Sequence, residues 1–188
     1  NFRINITDTD GRRVYSKPYS TADIHLAAGS YTVEAVCGDN PAIGYDAPYY
    51  TGSASAEVAS EGVTEASIAC KVSNALVSVR FGRDEAERAR FEKFYKHYAL
   101  QVWNGDKAAS ITSIQPGRSV YFPAGSSIRL AFTGTLRGND RVVSTTLDPS
   151  GTGFPSVFQA ADHAIVTLSL PDPECVTAVE ISKVELVE

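Results

Sequence analysis

The sequence predicts an all-β protein built from two tandem β-sandwich domains, the second of which carries one inserted α-helix. Three observations support this prediction. Most of the chain consists of short runs in which apolar and polar residues alternate. Gly, Pro, Asp and Ser separate these runs, as turn residues do between the strands of a sandwich. One segment, near 84–98, instead has the spacing of an amphipathic helix.

The first domain is expected at residues 1–73. Residues 2–6 alternate between apolar and polar side chains, and the Asp-Thr-Asp-Gly run at 8–11 predicts a tight turn into a second strand. The same run resembles the start of a calcium loop, but Tyr19 stands where that loop requires a bidentate Glu. A hairpin is therefore expected there. The further strands predicted in this domain lie at 31–37, 53–58 and 63–72.

The second domain is expected at residues 74–188. Val77, Val79 and Phe81 alternate with polar residues and mark its first strand. Turn residues such as Asn-Gly-Asp and Pro-Gly separate the strands that follow. These strands are predicted at 99–103, 109–114, 119–122, 128–132, 142–147, 165–170 and 176–187.

The segment near 84–98 is the one predicted helix. Asp84 and Glu87 fit a capping box, and Glu92 and Lys96 are spaced as a favourable i,i+4 ion pair. Four aromatic residues recur at the spacing of a single helical face, which predicts that they point into the core. These residues are Phe91, Phe94, Tyr95 and Tyr98.

The stretch at residues 26–31 places a Leu and a Gly turn just before Tyr31, which begins an alternating strand. This pattern resembles a tyrosine corner, in which the phenol hydrogen-bonds to the backbone just upstream. The stretch is also similar to prealbumin-like (transthyretin-like) domains, which are common in bacterial surface proteins. The resemblance implies that both sandwiches are of this type.

Residue types needed for catalysis are sparse. No G-x-S-x-G elbow occurs, and the three histidines, His25, His97 and His163, cannot supply a helical metal-binding pair. Asp162 directly precedes His163, but neighbours on a strand point to opposite faces. We therefore expect His163 to be a plain strand-start residue, with a chemical role as the alternative, and we expect no catalytic residue, no metal site and no cofactor.

The net charge of −5 and the scattered Lys and Arg residues lack the basic patch that nucleic acid binding requires. We expect no nucleic acid partner. Ligand binding is instead predicted at the aromatic connection of residues 44–50. Aromatic rings beside an acid can stack on sugars or anchor a protein partner, and the alternative is that they pack at the end of the sandwich. The candidate ligand-binding residues are Tyr45, Asp46, Tyr49 and Tyr50.

The three cysteines, Cys37, Cys70 and Cys175, are too few and too far apart for a zinc site. A disulfide between Cys37 and Cys70 is one prediction, because both residues end alternating strands. Buried free thiols are the alternative. The chain contains no Met and begins with Asn1, so we expect a processed or trimmed chain, as would follow removal of an export signal.

Three stretches together, residues 26–35, 45–52 and 68–74, resemble a domain-of-unknown-function family of Bacteroidales surface lipoproteins. In the second half the order of elements and the run Asp162-His163-Ala164 fit the same family. That family is similar to the fimbrillin and fimbrial anchor group, whose members carry two sandwich domains. No catalytic residues come with this resemblance.

The resemblance implies a non-enzymatic protein of the cell surface, an adhesin or a fimbria-associated lipoprotein. Its partners would be other surface or fimbrial proteins, and it would touch the outer membrane only through a lipid-bearing Cys in the leader. A fimbrillin-like assembly would need strand exchange, for which residues 176–187 are a candidate edge or donor strand. The alternative function is a glycan-binding accessory module of a surface polysaccharide-uptake system.

Overall fold

In the computed structural model, residues 1–171 and 177–187 are described. The predicted architecture of tandem β-sandwiches with one helix is confirmed. The chain divides into two compact units, residues 1–39 with 48–73 and residues 40–47 with 74–188. A compact unit is a geometric division, whereas a domain also folds on its own. The domains 1–73 and 74–188 therefore stay a prediction.

The elements follow one another along the chain with a single helix among the strands that are described. In order they are β1 (Arg3–Asp8), β2 (Arg13–Pro18), β3 (Gly29–Cys37), β4 (Gly44–Tyr45), β5 (Tyr50–Val58), β6 (Lys71–Val72), β7 (Asn74–Phe81), α1 (Glu85–Phe94), β8 (Tyr95–Asn104), β9 (Lys107–Thr112), β10 (Val120–Pro123), β11 (Ile128–Leu136), β12 (Val142–Leu147), β13 (His163–Ser169) and β14 (Glu180–Val187).

The first unit contains one sheet with the strand order β2-β1-β3-β5-β6, and all of its pairs are antiparallel. The predicted hairpin joins β1 to β2. One carboxylate oxygen of Asp8 accepts the backbone N–H groups of Asp10, at 3.1 Å, and Arg12, at 2.9 Å. Gly11 has a φ of +77°, a conformation that Gly adopts without strain. The turn is thus fixed by its own side chain.

The strand predicted at 63–72 is wrong except for its last two residues, which form β6. The backbone at Ala69 passes close to β5 at Gly52. Only a glycine leaves room for this approach, because a Cβ on Gly52 would lie 2.5 Å from the carbonyl oxygen of Ala69. The preceding residues do not pair with β5. Ala66 and Ile68 instead turn their side chains toward a cavity beside the sheet, and Val63 is 84% exposed.

Tyr31 makes the predicted tyrosine corner. Its phenol donates a hydrogen bond to the carbonyl oxygen of Ala27 at 3.0 Å. The bond ties the segment before β3 to the start of the strand. Few side chains are buried in this unit, since its buried apolar residues are Ile6, Val33 and Ala35. A single tether therefore matters more here than in a larger core.

The second unit contains two sheets, a five-stranded one ordered β14-β13-β7-β10-β4 and a four-stranded one ordered β12-β11-β8-β9. Only β13 and β7 pair in parallel among these described strands. β14 pairs with β13 along its length and forms one edge of its sheet. Strand exchange by this segment stays a prediction, and residues 172–176, which include Cys175, lie outside the described residues. The largest fully buried side chains of the core are Phe91, Tyr95, Phe122, Phe132 and Phe158.

The predicted helix begins where expected but ends at Phe94, four residues early. Tyr95 has the extended dihedrals φ −115° and ψ 141° and opens β8. The expectation that the aromatic stripe faces the core holds for Phe91, Tyr95 and Tyr98, which are buried, whereas Phe94 is half-buried and packs against the core. The pairing of β8 with β11 extends through these residues and overrides the helical spacing.

The start of the helix resembles a capping box, except that the Glu87 side chain accepts the backbone N–H of Arg83 rather than that of the N-cap residue Asp84. Asp84 accepts the backbone N–H of Glu87 at 2.8 Å, but the Glu87 carboxylate accepts that of Arg83, also at 2.8 Å. The Arg83 guanidinium also donates to this carboxylate, and that hydrogen bond lowers the pKa of Glu87 below its ordinary value. The predicted Glu92–Lys96 pair is wrong, because Lys96 lies in β8 and pairs with Asp140.

Replacing Tyr31 with Phe removes only the phenol oxygen of the tyrosine corner. We expect Tyr31→Phe to lower the free energy of unfolding by about 1 kcal/mol, the usual value of one hydrogen bond. Urea unfolding of the purified chain measures this change. Tyr19→Phe is the matched control, because Tyr19 lies in the same unit and is 64% exposed. Equal losses in both variants would contradict a stabilising role for the corner.

The Arg83–Glu87 contact predicts a pH-dependent stability. Because the folded-state pKa of Glu87 lies below its unfolded-state pKa, the contact stabilises the fold above the unfolded-state pKa, and this contribution disappears as the pH falls through the folded-state pKa. Urea midpoints at about pH 7 and about pH 3 should therefore show Glu87→Gln destabilised more at the higher pH than at the lower.

The control for this pH dependence is Glu85→Gln on the same helix. The Glu85 carboxylate is largely exposed and approaches Arg88 only to 3.9 Å. Its substitution should change neither midpoint appreciably, because exposed pairs contribute little. A destabilisation of Glu87→Gln that is equal at both pH values would show that the charge of Glu87 is not what stabilises the helix start.

Candidate functional site

The aromatic connection of residues 44–50, where ligand binding was predicted, is divided between the two compact units. Tyr45 and Asp46 belong to the second unit, and Tyr49 and Tyr50 belong to the first, where Tyr50 begins β5. The chain passes from one unit to the other inside this short run. The structure does not gather the four residues in one unit, and their joint role in binding stays a prediction.

Tyr45 is already used within the second unit. Its phenol accepts the backbone N–H of Ser110 at 2.7 Å and donates to the carbonyl oxygen of Ser110 at 3.0 Å. Ser110 lies in β9, the edge strand of the four-stranded sheet, so the phenol occupies the open edge. The guanidinium of Arg118 lies 4.0 Å from the centre of the Tyr45 ring. These contacts match the packing role that was the alternative to ligand binding.

Asp46 has a structural contact as well. Its carboxylate accepts the Nε–H of Arg118 at 3.2 Å, so one arginine joins both predicted residues. The backbone of Asp46 has a φ of +47°, a left-handed conformation that Asp tolerates better than most residues. The geometry holds Tyr45 against β9 and holds Asp46 beside it.

Cys37 and Cys70 are free thiols, so the predicted disulfide is not formed in the structure. Both residues are half-buried in the first unit. The Cys70 sulfur lies 3.9 Å from the carbonyl oxygen of Ala35, at the distance of a weak S–H hydrogen bond. The alternative of unpaired buried thiols describes this arrangement.

His163 lies at the start of β13 and is hydrogen-bonded to Ser78 of β7, which in turn contacts Ser119, the residue just before β10. Its Nε2 atom is 2.8 Å from the Ser78 hydroxyl, which is 2.8 Å from the Ser119 hydroxyl. Burial, and secondarily the positive charge of Arg80, lower the pKa of the imidazole. A neutral imidazole can accept the Ser78 hydroxyl proton in a hydrogen bond.

This group of three side chains lacks the arrangement of a catalytic triad. In a triad an acid orients the imidazole from its other nitrogen. The neighbouring carboxylate, that of Asp162, instead accepts the backbone N–H of Gln159 at 2.6 Å. The residues of the group come from positions 78, 119 and 163, so no local sequence signal could have identified it.

The first unit contains an open cavity of about 490 Å³, within the usual range of ligand sites. Its floor is the apolar face of the sheet, and its walls are the segments 19–26 and 59–68. Asp23, His25 and Glu61 supply polar groups around it. The floor residues are Ile4, Ile6, Val33, Ala56 and Val58.

The cavity can hold an apolar group in contact with the sheet while leaving polar atoms at its rim. The sequence indicated the floor of this cavity, because alternation in β1, β3 and β5 marks one apolar face of the sheet. The prediction of a strand at 63–72 concealed the rest, since a strand paired at the edge of the sheet would not form the wall that residues 59–68 provide. The cavity arises because the segment does not pair.

Within residues 1–171 and 177–187, no cluster of three or more His, Cys, Asp or Glu side chains is placed to hold a metal ion. In the same part of the chain, no helix has both the length and the apolar character needed to cross a membrane.

Solved structures share this fold along the whole chain. A candidate cell adhesion protein from Bacteroides uniformis matches with a TM-score of 0.53 and 11% identity, covering 100% of this chain and 90% of that chain. A second one, from Bacteroides eggerthii, matches with a TM-score of 0.50 and 9% identity, covering 100% and 88%. The C-terminally truncated tip fimbrial protein Mfa3 from Porphyromonas gingivalis has a TM-score of 0.47 and 9% identity, covering 99% and 92%.

No curated protein matches the chain at the sequence level. The model of one protein family does match, over residues 1–185, and its description is domain of unknown function DUF4493. The prediction of a domain-of-unknown-function family with fimbrial and adhesion-type neighbours from Bacteroidales is confirmed. The two β units and the single described helix are therefore the structure of a member of the DUF4493 family.

Proposed function

We propose that this chain is a non-enzymatic adhesin of the bacterial cell surface that holds a partner protein through the cavity of its first unit. The observation that carries the proposal is that cavity, which is open and has an apolar floor formed by three strands. Apolar pockets that bury a few anchoring side chains are the usual source of protein–protein affinity. Surface and fimbrial proteins are the partners that this function implies.

The fold supports the same function. Two structures with a TM-score of at least 0.50 are candidate cell adhesion proteins, and each covers this chain completely. The fold therefore fits an adhesin, and function itself rests on the residues of the cavity. The hydrogen-bonded Ser78–His163 pair does not favour an enzyme, because the Asp162 carboxylate beside it is used by Gln159.

The finer parts of the proposal concern location and assembly. We infer that the protein resides at the outer membrane as a fimbria-associated lipoprotein, with its lipid on a Cys of a leader. The support is the family membership together with the sequence resemblance to the fimbrial anchor group. Labelling of intact cells with palmitate, followed by surface digestion with a protease, tests both the lipid and the location.

Filling the cavity should reduce adherence. Ala56 lies in β5 and lines the cavity, so Ala56→Trp places an indole on its floor. We expect a deletion strain complemented with Ala56→Trp to adhere to epithelial cells about tenfold less than one complemented with the wild-type gene, the effect of losing about 1.4 kcal/mol of binding. Counts of adherent bacteria measure this.

The matched control is Ser55→Trp, which adds the same indole to the exposed side of the same strand. It should leave adherence unchanged, and thermal unfolding should show both variants folded. If the deletion strain adheres as well as its parent, the adhesin function is wrong. If Ala56→Trp adheres as well as Ser55→Trp, the cavity is not where the partner docks.

A further inference from the structure

The outer face of the four-stranded sheet has an unusual composition. The register of its strands places alternate residues on this face, while their neighbours such as Leu100 and Val102 are buried in the core. We call this surface the hydroxyl face. Its residues are Val142, Ser144 and Thr146 from β12, Arg129, Ala131, Thr133 and Thr135 from β11, His97, Ala99, Gln101 and Trp103 from β8, and Ala108, Ser110 and Thr112 from β9.

Arg129 is the only Asp, Glu, Lys or Arg residue of the hydroxyl face, and its charge is already engaged. The guanidinium lies 5.7 Å from the Trp103 ring centre and donates to the carbonyl oxygen of Gly105 at 3.1 Å. Protein surfaces normally carry charges on about a quarter to a third of their residues. The other sheet follows this norm, with an ion cluster of Arg80, Lys183 and Glu185. The hydroxyl face therefore suits a partner without charge.

A hollow of about 310 Å³ lies on this face at Ala99. Ala99 is paired with Thr112 on one side and Thr133 on the other. A methyl group between two longer side chains leaves a depression whose floor is apolar and whose sides carry hydroxyl groups. The rim includes Ile114, which is 80% exposed.

Beyond Ala99, the outward-facing residues of β8 are Gln101, which carries an amide, and Trp103, which carries an indole. Gln101 lies between Ser110 and Ala131, and Trp103 follows two residues later. The distance from Ala99 to Trp103 along the strand is about 13 Å. A sugar ring has an apolar face that stacks on an aromatic ring and an equator of hydroxyl groups that exchange hydrogen bonds. The outward-facing residues of β8 and their neighbours supply both an aromatic ring and hydrogen-bonding groups along one strand.

We propose that the hydroxyl face binds a neutral polysaccharide, with one sugar stacked near Trp103 and another seated in the hollow at Ala99. Gln101, and Thr112 and Thr133 on either side of Ala99, hydrogen-bond to the sugar hydroxyls. A protein partner fits this face less well, because protein interfaces depend on a central cluster of large apolar anchors. Here Ile114 and Val142 lie at opposite edges of the sheet. This inference goes beyond the proposed function, since it concerns the second unit.

Trp103 is the only tryptophan of the chain, so its fluorescence reports on binding at this face. The full chain is titrated with the neutral polymers β-mannan, xyloglucan and dextran, and with the charged polymer polygalacturonate. We expect a saturable change of tryptophan emission with at least one neutral polymer and none with polygalacturonate. Retardation of the protein in native gels that contain the same polymers gives a second readout.

Charge placed in the hollow should remove binding. Thr133→Glu puts a carboxylate beside Ala99, where a bound sugar would leave it unpaired, and we expect the apparent affinity to fall at least about tenfold. Thr133→Ser keeps the hydroxyl and should bind as the wild type does. Thr32→Glu is the matched control, because Thr32 is an exposed strand threonine of the first unit.

The inference is overturned if no neutral polymer changes emission or mobility, if polygalacturonate binds equally well, or if Thr133→Glu and Thr32→Glu bind alike. If a purified surface protein changes the emission of Trp103 and none of the neutral polymers does, the face binds a protein instead. Failure here is separate from failure of the adhesin function, which is read from bacterial adherence and from Ala56→Trp. Each proposal can fail while the other stands.

Discussion

The contact between the Tyr95 ring and the backbone of Gly134 sets the geometry of the second unit. A Cβ on Gly134 would lie 2.6 Å from the nearest atom of that ring, so only glycine leaves room for it. The ring also meets Phe132 edge-on, with centroids 5.2 Å apart. Tyr95 is both the first residue after α1 and the first residue of β8. This packing therefore fixes where the helix ends and where the sheet begins.

A β-bulge makes that arrangement compatible with the rest of the strand. Thr135 pairs with His97 and Leu136 with Tyr95, so Lys96 is the extra residue. Without it, strand alternation would send Tyr95 and Tyr98 to opposite faces. With it, both rings enter the core, and the outer face of β8 still carries every second residue from His97 onward. The regular row on the hydroxyl face thus depends on a bulge at its end.

Sequence patterns predicted most of the strands, because one side of each sheet is buried and alternation records this directly. β12, predicted at 142–147, occupies that range in the structure. The start of the helix was also predictable, since Asp84 is a local capping residue. Its end was not, because the aromatic spacing of residues 91–98 fits a helix and also fits a short helix followed by a bulged strand. Tertiary pairing with β11 decides between the two.

The sites were less predictable than the fold because each depends on residues far apart in sequence. Tyr45 and Tyr49 are only four residues apart in sequence, but they belong to different compact units. Ser78, Ser119 and His163 meet only through strand order. The residues of the hydroxyl face look ordinary on each strand, and only the register of four strands reveals that nearly all of them lack charge.

The two units also differ in how their apolar surface is covered. The main buried cluster lies in the second unit, whereas the sheet of the first unit buries few side chains and leaves its apolar face open to the cavity. A small unit with an open face has little burial to offset the entropy of folding. Local tethers such as the Asp8 turn and the Tyr31 corner take on more of that role. The proposed partner, by filling the cavity, would add the missing burial and would thereby stabilise the first unit.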